Sequence, residues 1–95
     1  MKTVWKYPIP ITDVFYLTLP KGAVILHAGT QPGDADTEAQ VWVLVDPDQE
    51  LTVRHWCHVY GTGRTIRNPG AVRWVATLQK PPFVWHLFEE VTNDA

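Results

Sequence analysis

The sequence predicts an all-β domain, a small antiparallel β-barrel or two-layer sandwich of six to seven short strands with little or no helix. Three observations predict it. Eight prolines and six glycines cut the chain into short pieces. The pieces are rich in Val, Thr, Trp, Tyr and Phe, which fit a pleated, half-buried surface. None carries the i, i+3, i+4, i+7 apolar stripe of an amphipathic helix.

Thr3 to Tyr7 is the first strand. Pro8 and Pro10 close it, and because proline cannot donate to a ladder it belongs at an edge. Val14 to Leu19 and Ala23 to Ala28 flank Pro20-Lys21-Gly22, a turn signal that predicts a hairpin. Gly29 to Gln40 is acidic and aperiodic, an exposed loop. Val41 to Val45 is apolar at every position, so it is covered on both faces or pairs across a subunit interface.

Leu51 to Tyr60 alternates. Leu51, Val53, His55, Cys57 and Val59 share one face, and Thr52, Arg54, Trp56, His58 and Tyr60 the other. Val72 to Gln79 places Val72, Trp74, Ala76 and Leu78 inward and Arg73, Thr77 and Gln79 outward. Pro81-Pro82 breaks the chain before Phe83 to Phe88. Residues 89–95 read as a frayed acidic tail of the single domain, 1–95. Successive hairpins leave no room for crossover helices, so antiparallel pairing follows.

At 95 residues and 45% hydrophobic, the chain has enough apolar material for a core. A formal net charge of −2 argues against a general nucleic-acid binder, which is usually basic. The N-terminus has no apolar signal core, and no run approaches the roughly 20 apolar residues that span a bilayer. The expected partner is no membrane and the expected compartment is the cytoplasm. One cysteine excludes an internal disulfide.

The densest candidate chemistry is Tyr60-Gly61-Thr62-Gly63-Arg64-Thr65-Ile66-Arg67. Glycines let backbone amides approach an anion, and Arg64 and Arg67 can grip its oxygens in bidentate fashion. The spacing and lysine of a Walker A loop are missing. The plain alternative is a glycine-rich turn with two solvated arginines. Five tryptophans is many for this length. Trp56 and Trp85, with Tyr60 and neighbouring His86, are candidates to stack on a base beside arginine. Trp42 and Trp74 read as core.

His55 and Cys57 face the same way, yet a structural zinc needs four ligands, so no metal is expected. Cys57 lies on the apolar face and suits a buried, inert thiol. Serine is absent from the chain, and Asp46 and Asp48 are explained by a turn. These observations weigh against an enzyme, and no cofactor is implied.

Several segments together resemble a family of small bacteriophage and prophage proteins with no established activity. They are Trp5-Lys6-Tyr7-Pro8, Ile11-Thr12-Asp13, Leu44-Val45-Asp46-Pro47-Asp48, Val59-Tyr60-Gly61-Thr62-Gly63 and Pro81-Pro82-Phe83-Val84-Trp85-His86-Leu87-Phe88-Glu89. Where such proteins often carry His-Pro, this chain has Arg64-Thr65, so no role for Arg64 carries over. The resemblance implies a phage setting, hence the cytoplasm of an infected host. By context it points to an anti-defence sponge that sequesters a nucleotide-type immune signal of the host.

The expectation is therefore a non-enzymatic, homo-oligomeric protein that binds a small anionic, nucleotide-type ligand. Gly61, Thr62, Gly63, Arg64 and Arg67 would hold phosphate, and Tyr60, Trp56, Trp85 and His86 would meet the base. The alternative is a protein-interaction module that inhibits a host protein or acts in virion assembly, anchored by exposed tryptophans and an edge strand near Trp5.

Overall fold

The computed structural model describes residues 1–30 and 39–91. Seven strands run in order: β1 (Thr3–Ile9), β2 (Val14–Pro20), β3 (Val24–Gly29), β4 (Ala39–Val45), β5 (Thr52–Gly61), β6 (Val72–Lys80) and β7 (Phe83–Glu90). A 3-10 turn, Pro69–Ala71, precedes β6. All pairing is antiparallel, in a three-stranded sheet of order β1-β4-β3 and a four-stranded sheet of order β2-β5-β7-β6. The sheets do not close into a barrel, so the sandwich is the form adopted. Residues 31–38 of the expected acidic loop and 92–95 of the expected tail lie outside the described residues.

Burial explains the layering. β4 is the central strand of its sheet, and Val41, Val43 and Val45 are fully buried while Trp42 and Leu44 are half-buried. The cover of the valine face comes from its own chain. The core joins Ile9, Ile25 and the β4 valines to Leu19, Cys57, Leu78 and Leu87 of the second sheet. The sheets meet along β3 and β6, where Arg73 Nη2 donates to the Ile25 carbonyl at 3.1 Å.

Three sequence expectations fail here. Pro20-Lys21-Gly22 does not close a hairpin, because β2 pairs with β5 and β3 with β4, so the turn crosses between sheets. Trp74 is not in the core. A β-bulge between Trp74 and Ala76 inserts one residue and reverses the alternation, which turns Trp74 outward and Arg73 inward. Ala76 and Leu78 stay inward and buried as expected, and Trp74 is 56% exposed. The chain does not fray from Glu89, since β7 continues through Glu90 and Glu89 is buried.

Candidate functional site

β5 and β7 pair Tyr60 with His86 and Gly61 with Trp85, and they set the two faces of the larger sheet. The inner face carries His55, Cys57 and Val59 with Trp85, Leu87 and Glu89. The outer face carries Arg54, Trp56, His58 and Tyr60 with His86, Phe88 and Glu90. Each face holds one histidine–carboxylate pair.

On the inner face Glu89 sits between two partners. His55 Nδ1 donates to one carboxylate oxygen at 2.6 Å, and Arg73 Nη2 donates to the other at 2.5 Å. Burial alone would push the Glu89 carboxyl up. The hydrogen bond from His55 and the Arg73 guanidinium outweigh it and hold the carboxyl below its ordinary range. Because Arg73 also caps the Ile25 carbonyl, the network ties the two sheets together. Next to it, burial pushes the Cys57 thiol up to about 12, reinforced by the Glu89 charge. The thiol stays protonated and is no nucleophile.

The outer face is aromatic and wetter. Tyr16 lies directly across from Trp56, with ring centroids 5.0 Å apart, and the Arg54 guanidinium sits 4.7 Å above the Tyr16 ring. His58 stacks on Tyr60, and Tyr60 meets the edge of Phe88. His58 Nε2 donates to Glu90 at 2.6 Å. His86 bridges two hydroxyls, Thr62 Oγ1 at 2.8 Å and Thr77 Oγ1 at 3.1 Å.

The Gly61–Arg67 loop starts as a tight turn. The Arg64 amide donates to the Gly61 carbonyl at 3.1 Å, and Gly63 takes φ +88° at the third position, as a type II turn requires. The Trp85 ring rests on the Gly61 backbone, where a Cβ would meet it at 3.4 Å, the near limit of ordinary van der Waals contact. The turn leaves the Thr62 and Gly63 amides without a partner among the described residues. Arg64 and Arg67 are exposed and have no ion pair with any described residue.

This loop borders an open cleft of about 1200 Å³. Gly61, Gly63, Arg64, Arg67, Tyr60 and Trp85 line it, together with His58, Asp13 and Glu90. Six of the nine residues singled out in the sequence are thus brought together. Three are not in the lining. Thr62 and His86 are bonded to each other and hold the turn in place from outside. Trp56 belongs to the Tyr16 pair further along the outer face. Trp85 projects from the inner face, stacked on Phe83 with centroids 5.6 Å apart, and only part of its ring reaches the cleft.

Asp13 and Glu90 were missed by the sequence reading. Asp13 lies just before β2, and its carbonyl accepts from the Val59 amide at 3.1 Å, extending β2 by one residue. Glu90 was assigned to the tail. The structure thus defines an all-β sandwich protein with a mixed-charge, ring-bordered cleft beside a tight glycine turn. A family model described as a domain of unknown function, DUF7352, matches residues 1–95, and the chain belongs to that family. No curated protein and no solved structure matches it. Among the described residues no helix is long and apolar enough to cross a membrane.

Proposed function

We propose that the protein is a non-enzymatic binder that captures a small anionic ligand of nucleotide type in the cleft beside the Gly61–Arg67 loop. One observation carries the reading: two guanidinium groups with no ion pair among the described residues, the unpartnered Gly63 amide and the rings of Tyr60 and Trp85 border the same open space. Arg64, Arg67 and the Gly63 amide supply donors for phosphate oxygens. Tyr60 and Trp85 supply faces or edges for a base. Asp13 and Glu90 add acceptors, and a nucleotide carries both an anionic end and amino donors to match them. The resemblance to phage proteins supports a role in sequestering a nucleotide signal of host defence in the host cytoplasm.

Isothermal titration against a panel of cyclic and linear nucleotides tests the reading. Binding at micromolar level to at least one member, lost in an Arg64→Ala/Arg67→Ala variant, is the expected result. Silence across the panel overturns it.

A second reading rests on a different surface. Tyr16, Trp56 and Trp74 are 44%, 37% and 56% exposed on the outer face of one sheet. Exposed aromatics on a rigid sheet are typical anchors for a protein partner. Under this reading the protein blocks a host protein or serves in virion assembly, and Trp56→Ala abolishes capture of that partner while leaving nucleotide binding untouched.

A further inference from the structure

Among the described residues the two sheets leave two free edges, β1 and β2, since β3 and β6 face each other at the seam. Free edges present unpaired backbone groups, and proteins guard them with charge and proline. β1 is guarded: it carries Lys6 and Pro8 within the strand and Pro10 just after it. β2, Val-Phe-Tyr-Leu-Thr-Leu-Pro, has no charged residue and only a terminal proline.

The outward groups of β2 can be assigned. The Val59 amide donates to the Asp13 carbonyl, and the Lys21 amide donates to the Leu51 carbonyl at 2.8 Å. The register between these points has no shift. Odd-numbered residues therefore bond to β5, and the backbone groups of Val14, Tyr16 and Thr18 point away from the sheet.

We propose that β2 pairs antiparallel with β2 of a second copy about a two-fold axis through Leu17. This register overlaps the whole strand. Tyr16 and Thr18 of each copy exchange amide–carbonyl bonds with Thr18 and Tyr16 of the other, four bonds in all. On the inner face Leu17 meets its own copy, and Phe15 falls opposite Leu19, which its own chain already buries. Phe15 and Leu17 are only half-buried in the single chain, and the second copy covers what remains.

The same register aligns opposite charges. Asp13 of one copy falls opposite Lys21 of the other, at both ends of the joint. Neither residue has an ion pair with a described residue of its own chain. An axis through Tyr16 or Thr18 loses this match and shortens the overlap. The result is an isologous dimer with one eight-stranded sheet. Because Asp13 lines the cleft, each copy also brings its Lys21 to the rim of the other's cleft. The dimer is read without ligand, so its failure and the failure of the cleft reading are separable.

Sedimentation of the full chain across the micromolar range tests this. The wild type should run at twice the 10.8 kDa monomer mass. Thr18→Pro removes an outward amide that the single chain does not use, and Thr18→Lys sets like charges near the axis. Both should be monomeric with an unchanged circular dichroism spectrum, and either one serves if the other fails to fold. Asp13→Lys or Lys21→Asp alone should weaken the dimer by roughly ten-fold, and the double exchange should restore it. A wild type that stays monomeric, a dimer that survives Thr18→Lys, or a double exchange that restores nothing would overturn the proposal.

Discussion

His55–Glu89 and His58–Glu90 are the same chemical pair, both at 2.6 Å, on the same two strands and three residues apart or fewer. They point through opposite faces of one sheet. Glu89 is 7% exposed, shares an arginine and joins the two layers. Glu90 is half-buried at the rim of a cleft, and its oxygens can be offered to a ligand. The difference teaches that pairing alone does not mark function. The surroundings do: a pair closed off by a guanidinium and a core is scaffold, and a pair open to a cleft with unpaired cations nearby is available chemistry.

The strongest way to break this contrast is Arg73→Ala. It leaves the Glu89 charge short of a partner in a buried setting and removes the cap on Ile25. We expect a loss of about 3 kcal/mol in urea unfolding, the lower end for broken buried pairs because Arg73 is partly exposed. Glu90→Gln on the other face should change stability by less than about 0.5 kcal/mol. Equal losses would dissolve the distinction.

Acid sharpens it next. The folded Glu89 carboxyl lies below its ordinary value of 4.5, so its stabilisation is fully present above that value. It is lost as pH falls through the lower folded value. Thermal midpoints between neutral and acidic pH should therefore decline, and the decline should be smaller in Glu89→Gln, which starts from a lower midpoint.

A smaller effect separates the two glycines of the turn. Gly63→Ala forces a side chain to positive φ and should cost about 1 kcal/mol. Gly61→Val sets its branched carbons against the Trp85 ring, and should shift tryptophan fluorescence as well as stability. An unchanged spectrum would mean that the ring does not rest there.

Much of the inner face was legible in the sequence, because alternation alone puts His55, Cys57 and Val59 together and glycine spacing alone marks the turn. The bulge at Val75 was not, since one inserted residue leaves no local trace, yet it decides that Arg73 reaches Glu89 and that Trp74 faces water. Nor was the pairing of β5 with both β2 and β7, which rests on contacts far apart in sequence. Without it the Glu89 network, the contact of Trp85 with Gly61 and the approach of Asp13 to the cleft cannot be seen. Local rules found the loop, and long-range pairing supplied its walls.

The most direct test is a titration of isotope-labelled protein with the tightest nucleotide from the panel, followed by amide and side-chain chemical shifts. The account predicts shifts concentrated at Asp13, Tyr60, Gly61–Arg67 and Glu90, with His55, Arg73 and Glu89 still. Shifts centred on Trp56 and Trp74 instead, or spread evenly over both faces, would contradict it.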